Sequence, residues 1–271
     1  MTKLQAAENR ATSAELTGRE VRRLVDLIVS SDVQRRSITP LSRMIPGFSI
    51  DDARLVRDEV IRRRMSKGDR GAVLLNAHDG LDPVILGERM LSSTNARIPV
   101  GSIPLRVRGV LGFRSEPAPS LQAPQGKGAM ATPDKLQLGL EVSWCPFGTS
   151  QTEDADRIAV NGGVIRLVSA GTHLSVLAGA EFRMLRDGKP LALGRLPAMD
   201  EIQRAVAELT DEAGTTWAQH LGERAASRPE PVTVYAIGLG EPISLLANSA
   251  IELEVAGSSL ATVIADTDHF M

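Results

Sequence analysis

The sequence predicts an α+β fold in which a helical N-terminal region precedes a β-rich region. Three observations predict it. Apolar residues recur at helical spacing near the start, they alternate with polar residues from position 136 onward, and a stretch rich in Pro, Ala, Gly and Gln separates the two patterns. We therefore expect a helical or mixed region over residues 1–114, a loop or linker over 115–135, and a β-rich domain over 136–271.

Helical periodicity defines the first two elements. Val21, Leu24, Val25 and Ile28 recur at the spacing of one helix face. A second helix is expected after Ser49, because Asp52 follows at the spacing of a capping box. The buried face of this second helix is predicted to carry Ala53, Val56 and Val60.

Shorter elements are expected before the linker. Residues 72–76 predict a strand, and residues 83–91 predict a short helix. Residues 98–113 predict strands that are broken near Pro99 and Pro104, because proline donates no ladder hydrogen bond.

Alternation dominates the C-terminal part, and its clearest example is the predicted strand over residues 136–144. Tight-turn residues predict hairpins within 157–168, around Asn161-Gly162-Gly163, and within 174–194, at Asp187-Gly188. The remaining predictions are a helix over 199–209, strands over 232–239 and 251–264, and a turn at Gly238-Leu239-Gly240.

Composition excludes several classes of function. Thirty-one basic residues against thirty-three acidic ones give a net charge of −2, so we expect no nucleic-acid partner. One cysteine excludes an internal disulfide framework. No apolar run approaches the ~18 residues of a membrane span, and the first residues carry no apolar signal core. We therefore expect no membrane association and a cytoplasmic location.

Glu141 is the first candidate for chemistry, because it lies on the polar face of a predicted strand whose other face is continuously apolar. It faces either solvent or a cavity, where it would serve as an acid, a base or a metal ligand. Its neighbours on the same strand face are Gly139 and Ser143, and neither suits a hard cation. On either alternative Glu141→Gln makes no cavity, so the sequence predicts a cost below ~1 kcal/mol.

Two histidines are candidates for proton transfer, since imidazole titrates near neutral pH. His78, followed by Asp79, comes directly after the predicted strand over residues 72–76, and His173 precedes the second predicted hairpin. Each could instead be an ordinary polar residue of a turn or strand end. A cluster of acids, Glu153, Asp154 and Asp156, is predicted to lie in a polar loop.

Several segments together resemble a known family. They include Ile38-Thr39-Pro40-Leu41-Ser42, the run from Pro46 to Ala53, and Leu138-Gly139-Leu140-Glu141-Val142-Ser143-Trp144. They resemble the 2-hydroxypentadienoate hydratases and 4-oxalocrotonate decarboxylases of the fumarylacetoacetate hydrolase superfamily. The resemblance implies a β-rich domain with a rolled mixed sheet and a homo-oligomer, a dimer or larger. It also implies a divalent metal that grips a 2-keto or enol carboxylate through two strand glutamates and a downstream aspartate.

The sequence departs from this family at the metal-binding motifs. Glu141 matches the second glutamate, whereas Gly139 stands in the place of the first. Arg166 and Leu167 stand where the family's Asp and Asn would fall, and Val73 stands in the place of its lysine. We therefore predict no metal ligands and no cofactor, with a divalent metal such as magnesium as the alternative. The predicted catalytic residues are Glu141, His78 and His173, and the predicted substrate-binding residues are Asp79, Ser143 and Arg166.

Three functions follow from this pattern. The first is a metal-independent lyase, isomerase or cyclase that acts on a keto-enol substrate, either a 2-keto acid or a β-dicarbonyl of the kind found in secondary metabolism. The second is a metal-dependent 2-keto-4-pentenoate hydratase or 4-oxalocrotonate decarboxylase. The third is a non-catalytic paralogue that binds a partner subunit or a ligand.

Overall fold

Among the residues that it describes, the computed structural model contains the four helices and twelve strands given below and further helical residues at 199–202 and 204–205. The described residues are 16–34, 36–66, 71–76, 84–87, 91–92, 94–101, 105–115, 137–144, 146–148, 151–160, 164–173, 178–202, 204–205 and 232–266. The helices are α1 (Gly18–Gln34), α2 (Leu41–Met44), α3 (Ile50–Ser66) and α4 (Asp154–Ala159). The strands are β1 (Gly71–Asn76), β2 (Val84–Gly87), β3 (Leu91–Ser92), β4 (Asn95–Pro99), β5 (Leu105–Ser115), β6 (Gln137–Trp144), β7 (Val164–His173), β8 (Glu181–Arg186), β9 (Lys189–Arg195), β10 (Val232–Leu245), β11 (Ala250–Val255) and β12 (Ser258–Asp266).

The chain divides into a helical unit and a sheet unit. The helical unit comprises Met1–Asp69, Val100–Pro104 and Trp144–Gly163, and the sheet unit comprises Arg70–Pro99, Leu105–Ser143 and Val164–Met271. This division differs from the predicted one, because β1 and β5 precede the predicted linker yet both pair with β10. Nearly all of the predicted linker, residues 116–135, lies outside the described residues.

The first two predicted helices are confirmed. α1 buries Leu24, Val25 and Ile28. At the start of α3 the capping box is formed reciprocally: the Ser49 amide donates to Asp52 Oδ2 at 3.0 Å, and the Asp52 amide donates to Ser49 Oγ at 3.1 Å. The predicted inner face of α3 is fully buried and consists of Ala53, Val56 and Val60. Among the described helices, none is long and apolar enough to cross a membrane.

The prediction of a hairpin over residues 157–168 is wrong at its start, where α4 forms instead. A capping box links Glu153 and Asp156, and Ala155, Ile158 and Ala159 are buried at the i, i+3 and i+4 spacing of a helix face. Asp156 is therefore a buried helix-start residue rather than part of a polar loop.

One sheet of the second unit has seven strands in the order β2-β1-β10-β5-β6-β7-β3. It is mixed, because β1 runs parallel to β10 and antiparallel to β2. The short helix predicted over residues 83–91 is wrong. Val84, Ile85 and Leu86 form β2 there, since a continuous apolar run that is partly β-branched pairs well with the apolar β1.

The seven-stranded sheet is strongly curved. Its two edge strands, β2 and β3, are separated by only residues 88–90 in the chain, and the four Cα steps from Gly87 to Leu91 span at most about 14 Å. A flat sheet would hold its edges about 29 Å apart, at six strand spacings. The edges must therefore approach each other, and β2 also contacts β7.

The other sheet has five strands in the order β4-β12-β11-β8-β9. The predicted hairpin at Asp187-Gly188 joins β8 to β9 and is confirmed. Both turn residues have positive φ, 51° and 76°, as a type I′ turn requires. The predicted strands over 251–264 are confirmed as β11 and β12.

Alternation along β5 assigns its two faces. Leu105, Val107 and Leu111 are fully buried on one face. Gly109 belongs to this face, and a Cβ there would lie 3.6 Å from the Met184 sulfur on β8 of the five-stranded sheet. Because side chains alternate along a strand, Arg108 lies on the opposite face, away from Met184.

Candidate active site

Glu141 lies on β6 of the seven-stranded sheet and is only 3 % exposed. The solvent-facing alternative is therefore wrong. β6 is an internal strand between β5 and β7, and residues 138–142 are buried without a break. The alternation of polar and apolar residues suggested a half-exposed strand, but this strand is covered on both faces.

Arg108 provides the counter-charge for Glu141. Its Nη2 donates to Glu141 Oε2 at 3.0 Å, and the two side chains are 10 % and 4 % exposed. Burial raises the cost of an unpaired charge and strengthens the attraction within a pair. The expectation that Glu141→Gln costs below ~1 kcal/mol ignored this partner. Leaving Arg108 buried without its counter-charge should cost about 1–3 kcal/mol.

One donor of this buried guanidinium is left without a partner. Arg108 Nε is inaccessible to solvent and has no hydrogen-bond acceptor among the residues that the structure describes. Nε–H and one Nη2–H lie along the same edge of a guanidinium and can bind two oxygens side by side. Here Glu141 takes the Nη2 position, and the adjacent Nε position remains for another acceptor.

A bulge in β10 lies directly opposite Arg108. Gly109 pairs with Leu239 and Val107 pairs with Ile243, so residues 240–242 have no ladder partner on β5. The turn predicted at Gly238-Leu239-Gly240 is thus wrong, because these residues belong to β10. Gly240 has φ +71°, and a bulge of this kind bends the strand and is common beside active sites.

Register shows which of the other predicted residues lie near the pair. Ser143 is two residues from Glu141 on β6, on the same face, and is half-buried. Arg166, a predicted substrate-binding residue, is opposite Val142, so it belongs to the face of the sheet opposite that of Glu141. His173 is opposite Gln137, about 13 Å along the strand from Glu141.

The remaining predicted residues, His78 and Asp79, lie outside the described residues. Sequence reasoning missed Arg108, although one signal was present. In the run Leu105-Arg106-Val107-Arg108-Gly109 an arginine alternates with buried apolar residues, as Glu141 does on its own strand. Charges of opposite sign in two apolar strands indicate a buried pair, because neither charge could be buried alone.

The donor set does not fit a divalent metal. Magnesium prefers about six oxygen ligands with compensating carboxylates, whereas among the described residues the Arg108 guanidinium lies 3.0 Å from Glu141. Its positive charge opposes a second cation at the same carboxylate. Within the described part of the chain, no group of three or more His, Cys, Asp and Glu side chains could hold a metal ion.

Comparison with solved structures identifies the fold. The chain is similar to 4-oxalocrotonate decarboxylase from Pseudomonas putida G7, complexed with magnesium and adipate. The TM-score is 0.70 at 15 % identity, over 94 % of this chain and 100 % of that one. The same enzyme complexed with calcium and acetate gives a TM-score of 0.67 at 15 % identity, with the same coverage.

A 5-carboxymethyl-2-hydroxymuconate delta-isomerase from Mycobacterium smegmatis also matches, with a TM-score of 0.40 at 14 % identity, over 74 % of this chain and 80 % of that one. No family model matches the sequence, and no curated protein matches it. The chain has the fold of 4-oxalocrotonate decarboxylase, as the resemblance to the fumarylacetoacetate hydrolase superfamily predicted.

Proposed function

We propose that the chain is a divergent enzyme of the fumarylacetoacetate hydrolase superfamily that transfers a proton on a keto-enol substrate without a metal. The observation that carries this proposal is the buried Arg108–Glu141 pair. A carboxylate held in a buried site beside a fixed cation is suited to general-base catalysis. The curved mixed sheet would be the rolled sheet of that superfamily.

The proposed step is removal of a proton from the carbon next to a carbonyl group. The C–H bond breaks, the proton goes to a Glu141 oxygen, and the electron pair moves to the carbonyl oxygen as an enolate. Return of the proton to carbon regenerates the carboxylate. A carboxylate has about four lone-pair sites, so Glu141 can accept a proton while Arg108 donates to Oε2.

We propose a reaction without a metal because of the charges beside Glu141, and not because of the solved structures that the chain resembles. The P. putida decarboxylase is complexed with magnesium or calcium. In this chain Arg108 already compensates Glu141. A metal-dependent hydratase or decarboxylase is therefore the weaker alternative.

The enolate is common to several reaction classes, so the proposal extends to a lyase, an isomerase or a cyclase. The substrate is a 2-keto acid or a β-dicarbonyl compound, because each has an acidic C–H bond next to a carbonyl. His78, His173 and Asp79 remain proposals as further polar groups, as does Ser143, which lies on the Glu141 face of β6. Assembly into a homo-oligomer and a cytoplasmic location also remain proposals.

Proton exchange in D₂O tests the proposal without knowledge of the natural substrate. Pyruvate, 2-ketobutyrate and acetylacetone are incubated with chelator-treated protein, and loss of the ¹H signal next to the carbonyl is followed by NMR. We expect at least one compound to exchange faster with the protein, and Glu141→Gln to slow that exchange by about 10²–10⁴-fold. The matched control is Glu181→Gln, an exposed glutamate on β8, which should leave the rate unchanged.

Two outcomes would overturn the proposal. Exchange that requires added magnesium or manganese would favour the metal-dependent hydratase or decarboxylase. Exchange that is equal in the wild type and Glu141→Gln, or no exchange with a wider panel of keto acids and diketones, would favour the non-catalytic paralogue.

A further inference from the structure

We propose that Arg108 binds the carbonyl or enolate oxygen of the substrate through Nε, beside the Glu141 carboxylate that it also holds. This inference rests on the proposed function and names the group that recognises the substrate. Its starting point is a buried donor that the described residues do not satisfy. Such donors are rare in folded proteins, because each loses its hydrogen bonds to water without replacement.

The geometry of the guanidinium specifies where the oxygen would lie. Nη2 is 3.0 Å from Glu141 Oε2, and Nε–H points along the same edge of the planar group. An oxygen bound to Nε would therefore lie next to the Glu141 carboxylate. A carbon attached to the bound carbonyl would come within reach of the base.

A glycine stands beside Glu141 on the same face of β6. Gly139 precedes Glu141 by two residues and faces the same side. Glycine contributes no side chain there, whereas any other residue would project beside the pair. On the other side of Arg108, residues 240–242 bulge out of the β10 ladder.

Charge balance supports the same assignment. Before reaction, Arg108 is neutralised by the Glu141 carboxylate. When Glu141 accepts the proton, its charge disappears and an equal charge develops on the enolate oxygen at Nε. The same fixed cation thus compensates the negative charge before and after the transfer, and it need not reorient.

Oxalate is a suitable probe, since its planar carboxylates resemble the enolate of a 2-keto acid. Binding is measured by titration calorimetry on chelator-treated full-length protein that has been dialysed free of the chelator. Arg108→Lys retains the charge but not the paired donors, and it should weaken binding at least about tenfold. Arg97→Lys replaces an exposed arginine on β4 and should bind oxalate as the wild type does.

Glu141→Gln separates oxalate binding from proton exchange. Removing the negative charge beside the bound oxygen should leave oxalate affinity equal to that of the wild type or higher, while proton exchange is lost. If Arg108→Lys does not fold, the neutral double variant Arg108→Gln/Glu141→Gln retains a hydrogen-bonded pair and should fold without binding oxalate. Folding of each variant is checked by its thermal transition.

The inference is overturned if wild-type protein fails to bind oxalate, or if Arg108→Lys or the double variant binds it as tightly as the wild type. These failures are distinct from failure of the proposed function. If proton exchange depends on Glu141 but oxalate binding does not depend on Arg108, only the inference about Arg108 fails. If oxalate binding depends on Arg108 but no keto acid or diketone exchanges its protons, the catalytic proposal fails and the binding site is retained.

Discussion

Two buried carboxylates, Asp156 in the helical unit and Glu141 in the sheet unit, are stabilised in different ways. Asp156 is fully buried and accepts hydrogen bonds from the Ser42 amide at 2.9 Å, the Ser42 hydroxyl at 2.7 Å and the Glu153 amide at 3.0 Å. These donors are neutral and belong to the ends of α2 and α4. Glu141 instead faces a buried guanidinium that retains an unpartnered donor.

Under the proposed function, this difference distinguishes a carboxylate that supports structure from one that performs chemistry. Hydrogen bonds from the backbone and from Ser42 occupy both oxygens of Asp156, so this residue joins segments of the helical unit. Arg108 Nε has no acceptor in the described part of the chain, and a buried ion pair is a poor source of net stability. An ion pair that is costly to bury and that leaves Arg108 Nε without an acceptor among the described residues favours a ligand-binding role.

The largest expected effect is that of Arg108→Met. It removes the guanidinium 3.0 Å from the buried Glu141 carboxylate and should destabilise the protein by about 3–5 kcal/mol. Arg108→Met/Glu141→Met removes both charges and should recover most of that loss, because an apolar pair of similar volume needs no counter-charge. Urea unfolding of the three proteins measures this difference. If the folded double variant does not recover this stability, the Arg108–Glu141 pair is a structural element like Asp156.

Asp156→Ala should come next, with a loss of about 2–3 kcal/mol, because it leaves buried donors on Ser42 and Glu153 without an acceptor. Asp154→Ala alters an exposed residue of the same helical turn and should cost about 0.5 kcal/mol or less. Equal losses in the two variants would contradict the assigned role of Asp156. Chemical denaturation at neutral pH distinguishes them.

Ser49→Ala tests the capping box that the sequence predicted. Loss of the Ser49 Oγ acceptor for the Asp52 amide should cost about 1 kcal/mol. The control Ser258→Ala lies at an exposed strand start and should be neutral. A shift in the thermal transition as small as that of the control would mean that the cap contributes nothing.

The smallest effect concerns Glu59 on α3. Arg62 donates a hydrogen bond to it, Nε to Oε2 at 2.6 Å, and thereby holds the pKa of Glu59 below its usual value of 4.5. A lowered pKa in the folded state means that this contribution is present above pH 4.5 and is lost as the pH falls through the folded value. The stability difference between the wild type and Arg62→Ala should therefore shrink on acidification. A difference that is independent of pH would contradict the assignment.

Capping and turn rules, which use only neighbouring residues, predicted the elements that depend on short stretches of sequence. The Ser49–Asp52 spacing predicted a cap that forms, and Asp187-Gly188 predicted a turn that forms. The cap at Glu153 was missed because glutamate is not among the preferred N-cap residues. β2 was missed because a short apolar run fits a helix or a strand equally well until its partner strand is known.

The site was only half predictable for a similar reason. Glu141 was visible as a charge in an apolar strand, but its partner Arg108 lies 33 residues earlier. Arg166 was chosen by proximity in sequence to a family motif, and the β6–β7 register then placed it opposite Val142 on the other face. Register between distant strands is a tertiary property, and no spacing within one strand encodes it.

The central claim, that Glu141 performs chemistry whereas Asp156 supports structure, is tested most directly by one comparison. The rate of substrate proton exchange in D₂O is measured for Glu141→Gln and Asp156→Asn and is divided by the folded fraction of each protein. We expect a loss of about 10²-fold or more for Glu141→Gln and a rate near that of the wild type for folded Asp156→Asn. Equal losses in the two variants, or a rate retained in Glu141→Gln, would contradict it.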